Sequence, residues 1–174
     1  RKIKFIGLSD SYNLCGALEF SEKISKVGTH PIIGSQINLN ILDIVGKISL
    51  YATSETGYKN LTKLSSKSYL KNDGTTVPSC NLEDLKENSE DLVLLTGNYQ
   101  NFFGKLFYKN KLKNFEQILN SLKSSFKDRL YIEIQRHNEP QEKNFENYLL
   151  YISKFLQLPL IATQEVFYLN ENMY

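Results

Sequence analysis

Residues 6–20 read Ile6-Gly7-Leu8-Ser9-Asp10-Ser11-Tyr12-Asn13-Leu14-Cys15-Gly16-Ala17-Leu18-Glu19-Phe20, answered by Pro31-Ile32-Ile33-Gly34-Ser35-Gln36. An apolar strand ends in a polar Ser-Asp-Ser turn, a helix follows, and a second apolar strand comes after it. In a parallel α/β fold such a turn lies at the C-terminal end of the strand, where these folds place their chemistry.

Outward from that stretch, strands and helices alternate. Residues 4–8 read as a buried strand. The spacing predicts a helix over 14–27 with Ala17, Phe20, Ile24 and Val27 on one face, stopped by Gly28. Strands are expected over 31–39 and 47–52. The linker between these two is too short for a crossover helix, so they should pair antiparallel. A helix is expected over 55–70, with Tyr58, Leu61 and Leu64 inward. Residues 71–80, with Asn72-Asp73-Gly74 and Pro78, read as an exposed loop. A short helix over 82–88, a strand over 91–96 and a helix over 99–108 with Phe102, Phe103 and Leu106 buried come next.

Phe115, Ile118, Leu119, Leu122 and Phe126 recur at helical spacing, and Asn114 with Gln117 resembles a capping box. Phe145, Tyr148, Leu149, Ile152 and Leu156 repeat the spacing, with Pro140 suited to a first turn. Strands over 129–135 and 158–163 flank that last helix. The alternation implies an α/β fold with a mostly parallel sheet and helices packed outside it.

The chain has 174 residues, enough for one domain with a real core, and 41% hydrophobic with 23% charged residues is ordinary for a globular protein. A net charge of +2 is too small to argue by itself for a nucleic-acid surface. Cys15 and Cys80 form no disulfide framework or metal-type spacing, so free thiols in a reducing cytoplasm are expected. No apolar run approaches the roughly 20 residues of a membrane span. No signal peptide is read, and no membrane partner is expected. Gly-rich phosphate loops and the common hydrolase motifs are absent.

The motifs resemble the PHP (polymerase and histidinol phosphatase) domain at the front of the bacterial replicative DNA polymerase III alpha subunit. That family's turn usually reads Thr-Asp-His, followed by an Asn-Leu-x-Gly element; here it is Leu8-Ser9-Asp10-Ser11, then Asn13-Leu14-Cys15-Gly16. Its second strand usually ends Ile-Gly-x-Glu; here it is Ile33-Gly34-Ser35-Gln36. The runs 52–61, 92–97, 131–137 and 159–168 resemble four further family segments in the family's order.

The resemblance implies a distorted (β/α)7 barrel, incomplete over residues 1–174, which would form one PHP segment. Its first strand and helix would precede Arg1, and its end would follow Tyr174. It further implies a parent that is a DNA-directed DNA polymerase, a nucleotidyltransferase of DNA replication. The polymerase carboxylates would lie beyond Tyr174, so these residues should not themselves extend a primer.

An active PHP site resembles a multi-metal phosphoesterase centre of clustered His, Asp, Glu and Cys ligands. Such ions lower the pKa of a bound water and clamp phosphate oxygens. Against that pattern, Ser11 stands at a His position and Gln36 at the bridging Glu. Asn98 stands at the usual Cys or related ligand, and Phe167 at a His. Asp10, His137 and Glu165 remain as candidates for a vestigial site. Each has a plainer reading: Asp10 as an Asx turn or helix N-cap, His137 as a locally bonded strand end, Glu165 as a solvated turn residue. Glu133 could face the old site and would then need a partner.

The expectation is therefore a non-catalytic scaffold without a cofactor. Its partners would be the rest of the alpha chain, the proofreading exonuclease subunit, and DNA through the parent polymerase. The alternative is a residual metal-dependent phosphoesterase or 3′-exonuclease using Zn, Mn or Mg. The lysines at 105, 109, 111 and 113 and the aromatics from Tyr99 to Tyr108 could touch nucleic acid. A solvated helix end and a packed core are the preferred readings of these.

Overall fold

The computed structural model describes residues 3–71, 76–164, 166, 168 and 172. Six strands form one sheet in chain order: β1 (Phe5–Ser11), β2 (His30–Ile41), β3 (Ile44–Ala52), β4 (Leu92–Leu95), β5 (Leu130–Ile134) and β6 (Leu160–Ala162). Six helices connect them: α1 (Ala17–Lys26), α2 (Glu55–Leu70), α3 (Leu82–Glu87), α4 (Phe102–Tyr108), α5 (Leu112–Phe126) and α6 (Glu142–Leu156).

β1 with β2, β4 with β5, and β5 with β6 are parallel. β2 and β3 pair antiparallel, as the short linker requires. That linker is a tight hairpin whose central residues, Leu42 and Asp43, have φ of 57° and 59°. Such angles suit the twist of the flanking strands. β3 and β4 are also antiparallel, so the sheet is more mixed than the alternation alone suggests. It curls into a half-barrel.

The curl separates two faces. Leu50, Leu94, Leu130 and Ile132 point to the helices and join Leu61, Leu64, Phe103, Phe115, Leu119 and Phe126 in one core. The residues between them in sequence line the concave side. The pairing register aligns Ser11, Gln36, Ser49 and Leu95 across four strands there. Glu133 in β5 and Gln135 just past its end continue that side.

All five predicted core positions of α5 are buried. Four of the five in α6 are buried too, with Tyr148 half-buried beside them. Several expectations change. Among the described residues β1 is not a buried strand: it pairs with β2 alone, at one end of the strand order, and Phe5 is 61% exposed. Apolar content marks a strand, not whether anything covers it.

Tyr58 and Val27 are exposed, because each falls at the margin of its helix's apolar stripe. Lys111 precedes α5 without any side-chain cap, so Asn114 and Gln117 form no capping box. The capping box is at Asn81 and Asp84, opening α3. Of the expected exposed loop 71–80, residues 72–75 lie outside the described residues, and Cys80 is buried. Its backbone exchanges hydrogen bonds with Asn38 O and Asn40 N at 2.9 Å each, extending the edge of β2.

Candidate functional site

The concave face gathers the chain's polar strand ends. At the end of β1, Ser11 Oγ donates to Gln36 Oε1 at 2.9 Å, across the register pair of β1 and β2. Lys47 Nζ, from β3, donates to the same Ser11 Oγ at 2.9 Å and lies 5.2 Å from the Tyr12 ring centroid. The ammonium is therefore held by a hydroxyl lone pair and an aromatic face together. Tyr12 turns the chain at φ 68°, and its N–H donates to Gln36 O at 2.8 Å.

Asp10 lies within β1, so it is neither the turn residue nor the cap of α1. Asn13 makes the Asx turn, accepting from Cys15 N at 2.9 Å. Gly16 sits at the helix N-cap with no side-chain bond. Asp10 Oδ2 comes within 3.0 Å of where a Cβ on Gly16 would stand. The carboxylate thus sits against the start of α1, where the backbone dipole favours negative charge. The Ser35 hydroxyl donates to Asp10 O at 2.9 Å and fixes the strand end behind it.

Across the curl, Glu133 is 3% exposed. Its carboxylate accepts from Gly97 N at 2.9 Å, from Gln135 Nε2 at 2.9 Å and from the Thr163 hydroxyl. The expected partner of an inward carboxylate is thus a set of neutral donors. Asn98 Nδ2 donates to Gln135 Oε1 at 2.9 Å, and the His137 ring Nε2 lies 3.2 Å from the same oxygen. His137 is exposed, and its other ring nitrogen is 3.4 Å from Gln164 Nε2.

A cavity of about 500 Å³ joins the two clusters, bordered by Ser9, Asp10, Ser11, Gln36, Glu133 and Gln135 among others. The Ser9 hydroxyl is buried beside it with no hydrogen-bond partner among the described residues. The structure thus brings Asp10, Ser11 and Gln36 to one side of the mouth, and Asn98 and His137 to the other. Glu165 and Phe167 lie outside the described residues. Lys47 escaped the sequence reading. The alternation of Lys47, Ser49 and Tyr51 with buried Ile48 and Leu50 is the signal that could have found it.

The Ser11–Gln36 pair does not fit a divalent cation. Ser11 and Gln36 offer a hydroxyl and an amide that are already bonded to each other, with a fixed ammonium on the hydroxyl. Hard cations are held by carboxylates and other free oxygens, and a neighbouring positive charge repels them. Among the described residues, no group of three or more His, Cys, Asp or Glu side chains is arranged to hold a metal.

The other candidate surfaces are partly taken up by packing: Lys109, Lys113 and Tyr108 stay exposed, while the rest make contacts within the fold. Lys105 and Lys111 donate to the carbonyls of Val45 and Leu42 around the β2–β3 hairpin. Phe102 and Phe103 are fully buried. His30 stacks on Phe5 at 5.7 Å. Among the described residues, no helix is long and apolar enough to cross a membrane.

A curled mixed sheet with helices on one face and a polar mouth on the other makes this chain an α/β half-barrel. A candidate metal-dependent phosphoesterase of Bifidobacterium adolescentis shares it, with a TM-score of 0.51 over 90% of this chain and 74% of that one at 13% identity, a likeness of fold alone. The chain belongs to the PHP domain family, whose model matches residues 1–137.

Its similar relatives include the DNA polymerase III subunit alpha of Rickettsia bellii, 37% identical over 99% of this chain. Those of Vibrio cholerae and Escherichia coli are 30% and 27% identical over 97% and 96% of it. The chain spans about 15% of the length of each.

Proposed function

We propose that residues 1–174 are a PHP segment of a bacterial DNA polymerase III alpha subunit that serves by shape, as a structural and docking element in DNA replication. The similarity to alpha subunits along nearly the whole chain supports the parent. The observation that carries the structural role is the hydrogen-bonded chain from Lys47 through Ser11 to Gln36, which sits where a phosphoesterase would need free anionic ligands.

In this reading the segment works in the cytoplasm, binds no cofactor and meets DNA only through the rest of the polymerase. Its docking partner is the proofreading exonuclease subunit. Asp10, His137 and Glu165 are remnants of the family's site rather than ligands, and Ser11, Gln36, Asn98 and Phe167 are its lost ones.

Three measurements on the 174-residue chain test this. Primer extension should be blank. Phosphatase and 3′-exonuclease assays with added Mn²⁺ or Zn²⁺ should also be blank, and turnover in either would replace this reading with a residual phosphoesterase. Immobilised chain should capture the exonuclease subunit; a folded chain that captures none would remove the docking role.

A further inference from the structure

The mouth contains a positive charge of its own, and this inference rests on the altered-site reading above. Ser11 ends β1, Gln36 lies in β2 and Lys47 in β3, so three neighbouring strands meet in one hydrogen-bonded chain. The Ser11 hydroxyl gives its proton to Gln36 and a lone pair to the Lys47 ammonium. Both polar groups are thereby turned toward each other. Lys47 is half-buried, and the Tyr12 ring lies against its ammonium. Ser11 and Gln36 are the residues that stand at the family's His and Glu ligand positions.

We propose that Lys47 is a tethered cation that replaces the exchangeable ones. Its ammonium fastens the end of β1 to β3, and through Ser11 to β2, at the spot where divalent ions would otherwise join them, and its charge keeps such ions out. A bound metal ties strands together through shared ligands and is lost to chelators. A lysine ammonium supplies one charge and three donors on a flexible stem, and it cannot dissociate from the chain. The mouth therefore keeps its shape without any ion supply.

Mn²⁺ broadening of backbone amide resonances in the 174-residue chain tests this. With wild-type protein, equimolar Mn²⁺ leaves Ser11, Gln36 and Lys47 sharp. Gln36→Glu alone also stays sharp, because the ammonium neutralises the new carboxylate. Gln36→Glu combined with Lys47→Met broadens all the neighbouring resonances.

Broadening in the wild type would overturn both this inference and the altered-site reading. A double variant that binds no more Mn²⁺ than Gln36→Glu would overturn the role of Lys47 alone. Should the double variant not fold, single substitutions decide. Lys47→Met lowers the thermal midpoint by roughly 3–6 °C while Lys47→Arg retains most of it. No loss in Lys47→Met would overturn the fastening.

Discussion

Glu133 is a carboxylate buried among neutral donors, and its three partners come from the turn after β4, from the residue just past β5 and from the stretch after β6. Removing it would leave the Gly97 N–H, the Gln135 amide and the Thr163 hydroxyl without their acceptor. Glu133→Ala should cost about 2–3 kcal/mol, read as a lower urea midpoint, and Glu133→Gln less, since one oxygen remains to accept.

The two cysteines separate cleanly at this scale. Cys15 is exposed, whereas burial pushes the Cys80 thiol up to about 11, with Asp84 adding to the rise. A maleimide at pH 8 should modify Cys15 rapidly and Cys80 only after denaturation, because the thiolate is the reactive form. Rapid labelling of both sites would contradict the burial of Cys80. The neutral chemistry of Ser11 and Gln36 was legible in sequence, since a hydroxyl and an amide have fixed chemistry wherever they fold. Lys47 was not, because 36 residues separate it from Ser11 and only the β2–β3 pairing brings them together.

At the level of elements, the start of α2 is locked to the turn before β4. Ser54 caps the helix by accepting from Gly57 N and donates to Asp91 Oδ2 at 2.6 Å. A Cβ on Gly57 would stand 2.1 Å from Asp91 O. Gly57→Ala should therefore destabilise the protein by about 1–3 kcal/mol even though alanine favours helix, with thermal unfolding as the measurement. The glycine in the run 52–61 is there for close approach to Asp91.

At α3, Asn81 and Asp84 cap the helix reciprocally, and Lys71 and Lys67 close on the Asp84 carboxylate at 2.6 and 3.4 Å. Burial pushes the Asp84 carboxyl up, but the Lys71 hydrogen bond, the Asn81 N–H and Lys67 outweigh it, and the net shift is downward. A lowered folded value means that this stabilisation is complete above about pH 4 and disappears as pH falls through the folded value. Acid unfolding of Asp84→Asn should accordingly be shallower than that of wild type below about pH 4. Periodicity located most of these helices, but the cap of α5 was misassigned, since a cap depends on where the backbone leaves the helix rather than on residue spacing alone.

For the molecule as a whole, the covered face of the sheet holds the stability. Phe115 packs against Phe103 and Tyr148 at ring distances of 5.0 and 5.1 Å, joining α5 to α4 and α6. Phe115→Ala should cost about 3–5 kcal/mol in equilibrium unfolding, while leaving the mouth's hydrogen bonds in place in the folded fraction. The concave face contributes less to that core and carries the polar strand ends, so the two faces divide support from surface.

Local pattern determined which segments become helix or strand and which side of α5 and α6 is buried. These follow from side-chain chemistry and from periods of 3.6 and 2, which act over a few residues. Tertiary structure alone decided that β1 stands uncovered, that Glu133 is satisfied by neutral donors, and that an ammonium from β3 reaches the end of β1. Those outcomes depend on strand order, register and curl, which bring together residues far apart in the chain and leave no trace in the spacing of any one segment.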